Sequence, residues 1–246
     1  MIRAAFILIA LAPAPAGAAC RLALALGIDV SRSVDARDYA IQKEGLIAAL
    51  ADPVIVAAFL KPEDRVAFAV YEWSGQAHQD VIVDWTMVAA PSDLEGIRAA
   101  VAGHVREQDF LPTGLGAALA FGRDLMAQAP DCLAETLDIS GDGRSNDGRM
   151  PEVVYAAEDF GELLVNGLPI GGHEADIAIY YRTRVIRGQG AFVEVARTQD
   201  DFPRAIRRKL EKELTEQLIG RAGDGWSLLR VARRGRAAPS QPTIFQ

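Results

Sequence analysis

LALALGIDVSRS, residues 22–33, is a short apolar run that stops at Asp29 and passes at once into a polar loop. No polar residue alternates within the run, so both of its faces need cover. That is the signature of a buried parallel strand rather than of a strand with one wet face. A helical spacing follows, with Tyr39, Ile41, Leu46, Ile47 and Leu50 marking one side of the segment Asp35–Leu50, and Asp52-Pro53 breaks or kinks it.

The same alternation continues downstream. Arg65–Tyr71 (RVAFAVY) reads as a second strand and Asp80–Trp85 (DVIVDW) as a third. Only a short stretch containing Ser74-Gly75 separates these two, so the third is expected as an antiparallel edge strand. Ser92, with Glu95 three residues on, is expected to cap a helix reaching about Gly103. Gly114–Gln128 and Pro151–Phe160 read as helices, and Thr136–Ser140, Leu163–Ile170 and Ala191–Ala196 (AFVEVA) as strands. Asp200–Leu218 is a charged amphipathic helix whose run from Arg204 to Glu216 is expected on a solvated face. Strands alternating with helices predict an α/β fold: a doubly wound, mostly parallel sheet with helices on both faces and one antiparallel edge strand.

The chain of 246 residues suits one substantial domain, and half of it is hydrophobic. A net charge of −7 argues against nucleic-acid binding. Arg3, the apolar run Ala4–Ala12 and the small residues Ala16, Ala18 and Ala19 together form a secretory leader, placed at 1–19. The run is too short to span a bilayer, and no stable transmembrane segment is expected after cleavage. The expected location is therefore periplasmic or secreted. Gly17 stands where a lipid-acceptor motif carries Leu, which argues against lipidation of Cys20. The domain is placed at 20–220 and a flexible tail at 221–246, where the sequence turns rich in Arg and Pro.

Two cysteines, Cys20 and Cys132, precede the strands Arg21–Ile28 and Glu135–Ser140. If those strands are neighbours, both sulfurs lie at one end of the sheet and pair, as export permits. Two free thiols, or loss of Cys20 with the leader, are the alternatives.

In doubly wound sheets ligands gather past the carboxyl ends of the strands. Three segments there supply hard oxygen donors. Asp29-Val30-Ser31-Arg32-Ser33 follows the first strand, Thr113 opens a helix, and Asp142 stands in Ser140-Gly-Asp-Gly-Arg-Ser-Asn-Asp147. Three hydroxyls and two carboxylates favour Mg²⁺, with Mn²⁺ or Ca²⁺ as the other hard ions, and no His/Cys set favours zinc. His78, His104 and His173 are scattered and expected to be packed or solvated; Trp73, Trp85 and Trp226 are expected to pack. Asp35 and Asp147 fit an outer shell around the ion, and Asp35 equally a helix cap. Asp138, inside a strand, needs a basic partner such as Arg21.

This pattern resembles the von Willebrand factor type A domain with its metal-ion-dependent adhesion site. Asp29, Ser31 and Ser33 match the first motif, Thr113, Gly116, Ala118 and Leu119 the second, and Asp142, Gly143, Ser145, Asn146 and Asp147 the third. The likeness covers roughly residues 21–220. The SGDG, NGLPI, YY and GAFVEVA segments further resemble a bacterial group of exported proteins, DUF1194. The resemblance implies metal ligation by Ser31, Ser33 and Thr113, with Asp29 and Asp142 acting directly or through water. It also implies a partner protein offering a carboxylate to the ion. The third loop reads Ser-Gly-Asp-Gly where many members carry Thr-Asp-Gly. The alternatives are a Mg²⁺-dependent hydrolase or phosphatase, and a metal-free scaffold. Enzymatic function is not expected: Ser31 stands where a phosphatase Asp-x-Asp has its second Asp, and no general base or nucleophilic elbow is evident beside the ligands.

Overall fold

The computed structural model describes residues 19–61 and 64–216. Residues 1–18 of the expected leader and the whole expected tail lie outside the described residues. In chain order the elements are β1 (Ala19–Asp29), α1 (Ala36–Ala51), α2 (Pro53–Phe59), β2 (Asp64–Trp73), β3 (Gln79–Val88), α3 (Pro91–Gly103) and α4 (Leu115–Met126). They continue with β4 (Cys132–Gly141), α5 (Pro151–Ala157), β5 (Leu164–Pro169), α6 (Ile177–Tyr180) and α7 (Phe202–Glu216).

The sheet runs β3-β2-β1-β4-β5. Only β3 is antiparallel, to β2, while β1, β2, β4 and β5 are parallel. Pleating divides β1 between two cores. Leu22, Leu24, Leu26 and Ile28 pack with α1, α2, α3 and α7, and Ala23 and Ala25 pack with α4, α5 and α6 on the other face. With each face covered, an uninterrupted apolar strand is stable at the sheet centre. The chain builds β2 and β3 on one side of β1 and returns to build β4 and β5 on the other. The crevice past the carboxyl ends of β1 and β4 is thus the switch point where such folds place ligands.

Register brings Cys20 directly opposite Cys132, and the two form a disulfide with their Cα atoms 4.5 Å apart. Among the described residues no helix is long and apolar enough to cross a membrane.

Local details depart from expectation in four places. Asp52 does more than end α1: its carboxylate accepts from Val54 N, and Pro53 opens α2. Ser92 is not the cap of α3, which starts at Pro91; Asp93 accepts from Ala89 N and Ala90 N instead. AFVEVA does not become a strand. It runs along β5 with Gly167 N donating to Phe192 O, Glu194 N to Gly167 O, Ala196 N to Pro169 O and Gly171 N to Ala196 O. The bond that position 169 should donate in that alternation is missing because proline has no N–H, and the ladder breaks into isolated bridges. Finally, α7 is not solvated along its whole charged run. Lys209 and Glu213 are completely buried against the sheet. Lys209 Nζ lies 2.5 Å from Asp138 Oδ1 and 3.0 Å from Glu213 Oε1, and Asn166 Nδ2 donates to Glu213. Asp138 thus pairs with Lys209 rather than with Arg21, whose guanidinium donates to the Leu214 and Ala58 carbonyls.

Candidate metal centre

Asp29 ends β1, and Val30 N donates to Trp73 O, holding the first loop to the end of β2. The Asp29 carboxylate is fully buried, and its Oδ1 accepts from Ser31 N at 2.8 Å. That local bond curls the loop so that Ser31 and Ser33 face the same space, their hydroxyls 3.2 Å apart. Thr113 arrives from the loop before α4, and its hydroxyl donates to Ser31 Oγ at 3.3 Å. Asp142 arrives just past β4, and its Oδ1 accepts from Ser33 Oγ at 2.6 Å. All five side chains singled out in the sequence therefore meet, linked in one chain of contacts from Asp29 to Asp142.

Backbone bonds hold the loops to one another. Arg32 N donates to Leu111 O, Gly114 N to Ser74 O, and Asn146 N to Thr113 O, while Asn146 Oδ1 accepts from Thr113 N. Asp147 accepts from Gln76 N at 2.8 Å, so it braces the turn between β2 and β3. Asp35 caps α1 by accepting from Asp38 N. A side chain at Gly116 would lie 1.9 Å from the Arg149 carbonyl, so only glycine lets the third loop close down on α4.

The electrostatics are those of a site short of positive charge. Asp29 Oδ2 and Asp142 Oδ2 are both buried without a hydrogen-bond partner. Burial, and then the charge of Asp142, pushes the Asp29 carboxyl up to about 8. Burial also raises Asp142, partly offset by the Ser33 hydroxyl. Asp38, nearly buried on α1, adds a third carboxylate close enough to feel both Asp142 and His173. Two ionised carboxylates in one dry pocket are costly unless a cation joins them. Among the described residues no three His, Cys, Asp or Glu side chains lie close enough to hold an ion by themselves. A cation here would depend on the hydroxyls, which is the donor chemistry of a hard ion.

One histidine stands closer to the site than expected. His173 is half-exposed, as a solvated histidine should be, yet its Nε2 stands 3.7 Å from Asp142 Oδ2. An imidazole therefore does stand beside the candidate ligands. The signal was available, since His173 follows Gly171-Gly172 just past the carboxyl end of β5, the strand next to β4. The other two histidines pack as expected: His104 binds the buried Glu72 at 2.9 Å, and His78 Nε2 is buried.

Residues 19–218 match a family described as a protein of unknown function, DUF1194. The chain belongs to that family. Comparison with curated proteins by sequence gives no match. Among solved structures, this DUF1194 chain is similar to proximal thread matrix protein 1 from the mussel byssus with a zinc-occupied MIDAS motif, at TM-score 0.57 and 13% identity over 80% of this chain and 46% of that one. It is also similar to the pilus adhesin SpaC of Lactobacillus rhamnosus GG in its open conformation, at TM-score 0.55 and 12% identity over 79% and 30%. A third is the ArnB paralog VWA2 of Sulfolobus acidocaldarius, at TM-score 0.50 and 12% identity over 80% and 46%. The DUF1194 chain spans less than half the length of each of these chains. At such identities the likeness shows the fold, which is that of the von Willebrand factor type A domain.

Proposed function

We propose that this chain is an exported, non-enzymatic interaction module that holds one divalent cation, Mg²⁺ by preference, and uses it to capture a carboxylate of a partner protein. Ser31, Ser33 and Thr113 supply hydroxyl donors, and Asp29 and Asp142 supply charge directly or through water. The observation that carries the proposal is the pair of buried carboxylates, each with an oxygen left without a hydrogen-bond partner, linked through the Ser31 amide and the Ser31 and Ser33 hydroxyls, with the Thr113 hydroxyl joining at Ser31. Bound there, the ion would supply a positive charge that an acidic protein otherwise lacks for receiving an acidic group. The zinc-bearing motif of the mussel protein supports a divalent ion in this fold. The disulfide supports an oxidising location.

The test is a titration. Mg²⁺ or Mn²⁺ should raise the unfolding temperature of the wild-type chain in a concentration-dependent way, and Asp142→Ala should remove the effect. Affinity capture with and without chelator should then recover a partner only with metal present and Asp142 intact. Absence of any heat of binding or thermal shift with either ion would sink the proposal in favour of a scaffold.

Metal-assisted hydrolysis is the second reading, and the position of His173 is what favours it. Against it, Ser31 stands where a phosphatase Asp-x-Asp carries its second Asp. Turnover of phosphoesters or peptides that is lost in Asp29→Ala would replace the binding module with an enzyme.

A further inference from the structure

The loop from Gly171 to Asp176 is fastened over the candidate site at both ends. Gly172 has φ +122, a backbone conformation that a residue with a side chain rarely adopts, just past the end of β5. On the far side, Glu174 accepts from Arg144 N at 3.1 Å and from Arg144 Nε at 2.9 Å, and Asp176 lies 3.4 Å from the same guanidinium. Arg144 is two residues past Asp142, so this latch fixes the loop to the segment that carries the carboxylate. His173 sits between turn and latch. Its side chain is 52% exposed and faces the completely buried Asp142, with Nε2 3.7 Å from Oδ2.

That separation is long for a hydrogen bond. It matches two donors sharing an ion, since ligands each about 2.1 Å from one cation stand about 3 to 4 Å apart. The oxygen that His173 faces is the one left without a hydrogen-bond partner. We infer that His173 is a ligand of the cation, closing the site from the chain's own β5–α6 loop. This rests on the metal-site reading above and extends it. The direct donors become mixed: one imidazole nitrogen and one Asp142 oxygen beside the hydroxyls, with Asp29 acting through water. Imidazole suits Zn²⁺ and other transition ions, whereas Mg²⁺ gains little from it. His173 thus adds affinity for transition ions that the oxygen donors alone would not give, and an incoming carboxylate competes with the imidazole for its position.

The experiment compares the full exported chain, His173→Ala and Asp142→Ala by calorimetric titration with Zn²⁺ and, separately, Mg²⁺. His173→Ala should lose about 10-fold or more in Zn²⁺ affinity while its Mg²⁺ affinity changes by less than about 3-fold. Retained Mg²⁺ binding also shows that the variant is folded. X-ray absorption at the zinc edge should show imidazole scattering in the wild type that is absent from His173→Ala. Equal or tighter Zn²⁺ binding by the variant overturns the inference, because the imidazole then contributes no bond to the ion. In that case metal binding lost only in Asp142→Ala leaves the site reading standing. A wild-type chain that binds neither ion ends both.

Discussion

Asp29 shows what the site asks of a single residue. Its carboxyl is pushed up to about 8 from an ordinary 3.8, so between those values the folded chain keeps a proton that the unfolded chain has released. The metal-free protein should therefore lose stability as pH rises through that window. Urea midpoints measured across it should fall without metal and level out with saturating Mg²⁺, which holds the carboxylate ionised. Binding of the ion at neutral pH should release protons, visible as a dependence of the calorimetric heat on the buffer. Asp29→Asn separates folding from function. The amide removes the buried charge, so at pH 8 the metal-free variant should be more stable than the metal-free wild type, yet gain nothing from Mg²⁺. A variant less stable than the wild type under those conditions would mean that the Asp29 charge is already compensated by the protein itself.

At the scale of elements, α7 is the instructive case. Arg204 is 78% exposed and its ion pair with Asp201 lies at the surface, whereas Lys209, one and a half turns on, is completely buried between Asp138 and Glu213. Lys209→Met would strand two carboxylates in the core and should cost roughly 3–5 kcal/mol at neutral pH, read from denaturant unfolding. Arg204→Ala should stay within about 0.5 kcal/mol. Charge alternation in the sequence does not separate these two positions, because a basic side chain at helical spacing reads alike on either face. Only the presence of Asp138 and Asn166 on neighbouring strands marks the buried one. AFVEVA fails as a strand for a similar reason. Its own residues favour extension, but the interruption comes from Pro169 on the strand it lies against.

Across the whole molecule, the disulfide and the candidate site sit at opposite ends of the same two strands. Cys20 and Cys132 pair at the amino ends of β1 and β4, and Asp29 and Asp142 stand at or just past their carboxyl ends. The bridge closes a separation of 112 residues. Replacing both cysteines by serine should cost about 2–5 kcal/mol in unfolding free energy. Mg²⁺ affinity should hardly move, because a strand of this length spans about 30 Å. An affinity loss as large as that of Asp142→Ala would show that the two ends are coupled.

The parallel core, its edge strand, the three polar loops and the convergence of their five side chains were all legible in the sequence. The apolar runs dictate burial on both faces, and the switch-point rule dictates where their carboxyl ends meet. The tertiary structure alone decided which basic residue answers Asp138, that Pro169 would interrupt a sixth strand, and which oxygen His173, already placed past the end of β5, would face. Each of these depends on what a residue finally faces across a gap in space, and hydrophobic periodicity along one segment carries no record of the residues on another.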